Sequence, residues 1–238
     1  MRGVLFDLDG TLLDIDLPAF LDRYFDALTQ WSSPILAETR TTPEEFLQAI
    51  RSGTRAMMSP HPGRTNRDVF HDALLSGIGL NLDDAWPVYE RFYREVFPRL
   101  GESARPMPGA REAVETALGL GLKVVVATNP IFPLVAVQAR LAWAGLGDIP
   151  FAGITSYEQM TACKPHLAYF REAAALAGLA PHECIMVGDD RYLDMPASDV
   201  GMRTFYVGEP TDGGWVDLHG DLTGFADLLP RLVTASDG

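Results

Sequence analysis

Lysine and cysteine are both scarce in this sequence. Its 19 basic residues are 17 arginines and two lysines, Lys123 and Lys164, against 32 acidic residues. The resulting net charge of −13 argues against a nucleic-acid polymer or an anionic membrane as partner, since both call for a basic surface. The two cysteines, Cys163 and Cys184, have neither the number nor the spacing of a zinc site or a disulfide framework. Both read as small buried hydrophobes. Long apolar runs are missing as well. The strongest, around Val124 to Ala127, is far short of the roughly 20 residues of a membrane span. No signal peptide precedes the functional-looking segment that begins at Asp7, so a cytoplasmic protein is expected. Internal repeats and low-complexity tracts are absent.

With 238 residues, and about 150 residues as a prior for one domain, the chain suits a core domain carrying a smaller insert. The contents, 47% hydrophobic and 21% charged, are those of an ordinary globular protein. Gly3-Val4-Leu5-Phe6 is a short apolar run of the kind buried in a parallel sheet. Residues 15 to 105 then show helical periodicity in four segments and no convincing strand. These are about 17–31, 43–58, 66–77 and 82–100. The second is the best marked, because Thr42-Pro43-Glu44-Glu45 forms a capping box with proline at the first helical position.

After Pro106-Met107-Pro108-Gly109 the pattern changes. Strands are expected at 123–127, 151–155, 184–187 and 204–207. Helices are expected at about 109–119, 132–144, 166–177, 195–200 and 222–233, with a frayed tail from Thr234. Alternation of this kind implies right-handed crossovers and a parallel sheet covered on both faces. The expected fold is therefore α/β: a Rossmann-like parallel-sheet core of residues 1–14 and 106–238, with an inserted four-helix cap of residues 15–105.

Ligands of an open parallel sheet bind beyond the carboxyl ends of its strands. Three strand ends here are polar: Asp7 and Asp9, then Thr128-Asn129, then Gly188-Asp189-Asp190 with Asp194 close behind. Lys164-Pro165 precedes a helix. Carboxylates brought together repel one another and stay ionised beside a cation. An all-oxygen ligand set selects a hard ion, and Mg²⁺ fits best. Such a site suits phosphoryl chemistry, with a carboxylate as nucleophile. Asp9, two residues past Asp7, is spaced to serve as general acid and then base.

The set Asp7-Leu8-Asp9-Gly10-Thr11, Thr128-Asn129, Lys164-Pro165 and Gly188-Asp189-Asp190 with Asp194 resembles the four motifs of the haloacid dehalogenase-like hydrolase superfamily. Order and spacing fit along the whole chain, and the helical insert resembles the superfamily's first cap type. The resemblance implies Asp7 as nucleophile and metal ligand, and Asp9 as general acid/base with its backbone carbonyl on the metal. It implies Thr128 and the Asn129 amide on the transferring phosphoryl group, and Lys164 holding nucleophile and phosphoryl charge together. Asp189 would be a metal ligand, and Asp194 would support the metal through water or at one remove. Asp9 also separates this chain from the dehalogenase and phosphonate-cleaving branches, which lack that aspartate. The phosphonate branch uses a cap lysine besides, and residues 15–105 contain none.

The implied activity is Mg²⁺-dependent hydrolysis of a small phosphorylated metabolite through an aspartyl-phosphate. A phosphomutase of the same superfamily and a non-catalytic phosphate-binding relative are the alternatives. A monomer and a homodimer are both compatible with the sequence. Two departures stand out. Asp190 occupies a position where a small residue is frequent, and reads as a solvated loop residue. Met195-Pro196 shortens or delays the following helix. The stretch 53–67 holds Arg55, His61, Arg64 and Arg67 with no acidic residue. It reads first as a solvated interhelical loop, with a substrate-facing loop as the alternative. The remaining histidines show no ligand spacing, and the tryptophans read as packing residues.

Overall fold

The computed structural model describes residues 1–209 and 218–234. Strand β1 (Gly3–Phe6) is buried along its whole length, because it pairs in parallel on both sides. Its neighbours are β4 (Lys123–Val126) and β6 (Cys184–Gly188). With β5 (Gly153–Ile154), β7 (Arg203–Val207) and β8 (Leu218–Gly220) they form a six-stranded sheet in the order β5-β4-β1-β6-β7-β8, all pairs parallel. The side-chain alternation of β1 divides the core. Val4 and Phe6 join one cluster, in which the Phe6 ring meets Phe225 edge-on at 5.7 Å. Leu5 joins another, with Tyr169 and Phe170. Helices therefore cover both faces, as a strand apolar on both sides requires.

The helices of the core are α5 (Ala110–Gly119), α6 (Leu134–Trp143), α7 (Leu167–Leu176) and α8 (Leu222–Thr234). Two residues per strand, β2 (Leu13–Asp14) and β3 (Arg105–Pro106), pair antiparallel where the chain leaves the sheet and returns. Between them lie α1 (Leu17–Thr39), α2 (Pro43–Met57), α3 (Asn66–Ile78) and α4 (Leu82–Glu95), followed by a 3₁₀ turn at Phe97–Gly101. The fold is α/β with a helical insertion, as expected. The expected capping box at Thr42 is formed, Glu45 closing it with a 2.8 Å bond.

Several boundaries differ from the sequence reading. The first helix continues to Thr39 rather than stopping near residue 31, passing through Pro34. The buried stripe Leu28, Ser32 and Leu36 carries it on, and packing outweighs the missing backbone bond. The fourth segment breaks at Val96, because Pro98 cannot extend the ladder of α4 and the chain tightens to 3₁₀ geometry. The strand expected over 151–155 is only Gly153–Ile154. Strands β2, β3 and β8 are too short for any periodicity to announce them. The segment 195–200 is a 3₁₀ turn with Pro196 in its first positions. The expected frayed tail beyond Thr234 lies outside the described residues, as does Trp215. Trp143 packs as expected, stacked on Phe97 at 5.4 Å.

Candidate active site

The carboxyl ends of β1, β4 and β6 meet at one cleft of about 360 Å³ beneath the helical insertion. Asp7, Asp9, Thr128, Asn129, Lys164, Asp189, Asp190 and Asp194 all line it. The sequence scatters these residues over nearly 190 positions, and the parallel sheet gathers them.

Asp7 follows directly on β1, its amide donating to the Val187 carbonyl at 2.9 Å. The chain then turns tightly: Leu12 and Leu13 both donate to the Leu8 carbonyl, at 2.9 and 2.8 Å. Gly10 adopts φ +84°, and a Cβ there would run into the Asp189 carboxylate. Only glycine satisfies both the left-handed backbone and the close approach. Thr11 completes the turn, its hydroxyl donating to Asp189 Oδ1 at 3.0 Å.

Lys164 is almost entirely buried. Its ammonium donates to Asp7 Oδ1 at 2.7 Å and to Asp194 Oδ1 at 2.5 Å. Burial works against the charge, but the two carboxylates outweigh it and hold Lys164 protonated well above the ordinary lysine range. Asp194 spends its second oxygen on the Asp190 amide at 3.1 Å. Burial raises the Asp194 carboxyl, with Asp7 adding to the effect against the pull of Lys164. Asp189 is raised too, by burial and by the charge of Asp7.

Asp7, Asp189 and Asp194 each present a carboxylate oxygen, and these oxygens lie within 4.8 Å of one another. Lys164 is the only cation among the described residues bonded to this trio. Excess negative charge in a half-buried pocket, with oxygen donors alone, fits a hard divalent cation.

Asn129 is held between core and insertion. Its Oδ1 accepts from the Lys164 amide at 3.2 Å, and its Nδ2 lies 3.5 Å from Met58 Sδ. Thr128 is buried, and its carbonyl accepts from Thr155 Oγ1 at 2.6 Å and from the Tyr169 hydroxyl at 2.9 Å. Asp190 does not stand free in solvent. It is half-buried, and its Oδ1 accepts from the Tyr192 and Leu193 amides at 2.7 and 3.0 Å, bracing the loop that presents Asp189. None of residues 53–67 lines the cleft among the described residues. Arg64 pairs with Asp72 at 2.7 Å, Arg67 pairs with Asp83, and His61 Nε2 lies 2.7 Å from Asn66 Oδ1.

One residue escaped the sequence reading. Arg140 of α6 is buried and reaches into the cleft, where its guanidinium pairs with the Asp9 carboxylate. Its Nε donates to Asp9 Oδ1 at 3.1 Å, and its Cζ lies 5.3 Å from the centre of the Phe132 ring. Burial lowers the guanidinium to about 10, opposed by the charge of Asp7. A signal was present: Arg140 interrupts the buried face Val137, Leu141 and Ala144. A charge inside an apolar stripe implies a buried partner.

The sequence profile of the haloacid dehalogenase-like hydrolases matches residues 1–198. The chain belongs to that family. A phosphoglycolate phosphatase of Mannheimia succiniciproducens is 28% identical over 94% of this chain and 95% of its own. A haloacid dehalogenase-like hydrolase domain-containing protein 3 of Xenopus laevis is 24% identical over 87% and 84%. In structure, the chain is similar to a HAD phosphatase of Thermococcus onnurineus, with a TM-score of 0.56 and 20% identity over 98% of both chains. No helix among the described residues is long and apolar enough to cross a membrane.

Proposed function

We propose that this hydrolase releases phosphate from a small phosphorylated metabolite through an aspartyl-phosphate on Asp7, with Mg²⁺ as cofactor. The observation that carries the reading is Lys164. A buried ammonium bonded at once to Asp7 and Asp194 gives one edge of a crowded carboxylate site a fixed positive charge. The chain is read as a catalytic core, 1–14 and 106–238, with a cap, 15–105, that closes the cleft to bulk water.

A carboxylate oxygen of Asp7 attacks phosphorus in line, and the bond from phosphorus to the ester oxygen breaks. Asp9 supplies the proton that the departing alkoxide needs, and later takes one from the water that attacks the aspartyl-phosphate. That second step restores Asp7 and frees inorganic phosphate. Arg140 fixes the Asp9 carboxylate at the rim of the cleft through both steps. Lys164 holds the Asp7 carboxylate in its attacking orientation and offsets phosphoryl charge, while the Thr128 hydroxyl and the Asn129 amide bind phosphoryl oxygens. Asp7 and Asp189, with the Asp9 carbonyl, would hold Mg²⁺. Asp194 supports them at one remove, since both its oxygens already accept bonds from Lys164 and Asp190. Bound there, the ion neutralises charge on the transferring phosphoryl group.

The test is phosphate release from a panel of phosphate esters with Mg²⁺ and with chelator, for the natural chain and Asp7→Asn. Release that chelator abolishes, and that falls at least about a thousandfold in Asp7→Asn with the circular dichroism unchanged, is expected. Retained turnover in Asp7→Asn would refute the aspartyl-phosphate. Isomerised sugar phosphate in place of free phosphate would identify a mutase. Phosphate and Mg²⁺ binding without turnover would identify a non-catalytic relative.

A further inference from the structure

A second cavity, of about 150 Å³, lies between the cap helices and the 131–133 turn of the core. It adjoins the catalytic cleft, for Leu21, Ile131 and Phe132 line both. Its wall is largely aromatic, with Tyr24, Phe46, Phe70, Trp86 and Tyr93 among the lining residues. Among the described residues that line it, none is acidic or basic.

Its hydroxyls already have partners, that of Tyr157 in the Arg67 side chain, which also pairs with Asp83. Tyr24 and Tyr93 are bonded to each other at 2.9 Å, Tyr89 lies 3.3 Å from Ser32 Oγ, and Thr54 donates to the Ile50 carbonyl at 3.0 Å. A carboxylate entering this chamber would lose water without meeting a counter-charge. A sugar would bring more hydroxyls than the wall can answer. Both losses are costly in an apolar enclosure. A hydrocarbon group meets neither penalty, and an apolar cavity of about 150 Å³ is large enough for a benzene ring. Phe132 marks the boundary, its ring on one side of the chamber and 5.3 Å from the Arg140 guanidinium that pairs with Asp9.

We propose that this chamber receives the apolar end of the leaving group, so that the substrate class is a phosphate monoester of an aryl or short-chain alkyl alcohol. The phosphoryl group lies at Asp7, and the hydrocarbon passes Phe132 into the cap. This rests on the reading of the cleft as a phosphatase site.

The experiment is kcat/KM with Mg²⁺ for n-alkyl phosphates from methyl to pentyl, whose leaving groups differ little in basicity, beside phenyl phosphate, 2-phosphoglycolate and glucose 6-phosphate. Calorimetric binding of the matching n-alkylphosphonates, which cannot be hydrolysed, runs in parallel. We expect kcat/KM and phosphonate affinity each to rise about fourfold per methylene until the chamber is full. The best alkyl or aryl ester should exceed 2-phosphoglycolate and glucose 6-phosphate at least about tenfold. A flat or falling series, or preference for either polar ester, overturns the chamber. No turnover of any ester, with the phosphonate gradient intact, overturns the phosphatase reading and leaves the chamber standing. Neither turnover nor gradient overturns the chamber assignment.

Discussion

Arg140 and Lys164 are both buried cations in one cleft, yet they sit in different electrostatic settings. Lys164 is enclosed with Asp7 and Asp194, whereas the Asp9 side chain that Arg140 grips is 19% exposed and opens onto the cleft. Removing one member of a fully buried ion pair costs about 3–5 kcal/mol. Arg140→Met is expected to cost less, because water reaches the orphaned Asp9. Its effect on turnover should be larger, since the carboxylate proposed to exchange protons loses its anchor. Misplacement of about 1 Å is worth roughly a hundredfold in rate. We therefore expect kcat of Arg140→Met to fall about a hundredfold, with a stability loss below about 3 kcal/mol. Steady-state kinetics and thermal melting check both. An unchanged kcat would reduce Arg140 to a packing role.

At the scale of elements, the helical insertion is fastened to the core through the start of α3. Asn66 is fully buried. Its backbone amide donates to the Met160 carbonyl at 2.8 Å, and its side-chain amide donates to the Pro130 carbonyl at 2.8 Å. The same amide lies 3.3 Å from Cys163 Sγ, and the next backbone amide, Arg67, donates to the Tyr157 carbonyl at 2.8 Å. These bonds tie the insertion to the loops that carry Asn129 and Lys164. Asn66→Ala strands the Pro130 carbonyl and removes the partner of His61 Nε2, for about 1–3 kcal/mol. Differential scanning calorimetry should show Tm lowered by roughly 2–10 °C. A shift smaller than that would mean that the apolar contacts alone seat the insertion. The capping boxes at Thr42 and Thr65 were both locally encoded, and only the first was recognised, although the helix start at residue 66 was placed correctly. The seat made by Asn66 involves partners 64 and 97 positions away, which no local pattern displays.

The whole molecule carries an unusual load of buried phenol. Of its seven tyrosines, five are held above the ordinary range. Burial pushes Tyr24 up to about 12 and raises Tyr89, Tyr93, Tyr157 and Tyr169 as well. In the unfolded chain these groups ionise near about 10. Above that pH the unfolded state sheds protons that the folded state keeps, so stability falls as pH rises. The loss approaches about 1.4 kcal/mol per pH unit for each group. Below about pH 10 this contribution is fully present. Absorbance at 295 nm should show at least four tyrosinates, those of Tyr24, Tyr93, Tyr157 and Tyr169, appearing only on unfolding at pH 11. Denaturant midpoints should drop steeply from pH 9.5 to 11. Tyrosines that all titrate in the folded protein would contradict the enclosed cap interior on which the leaving-group chamber depends.

The sequence by itself determined the fold class and the polar strand ends that line the cleft. A strand apolar on both faces belongs inside a parallel sheet, and such a sheet delivers its strand ends to a single edge. Asp7, Thr128, Asp189 and their neighbours were therefore legible from local pattern alone. Lys164 stood out because lysine is otherwise nearly absent. Short strands and helix ends were not legible, because two or three residues carry no period and packing carried α1 past Pro34. The tertiary structure alone decided that Arg140 faces Asp9, that Asn66 anchors the insertion, and that aromatic side chains from the cap line an uncharged chamber beside the cleft. Each of these depends on how helices far apart in the chain cross over one another. A local pattern tells that a side chain is buried, and the crossing tells against what.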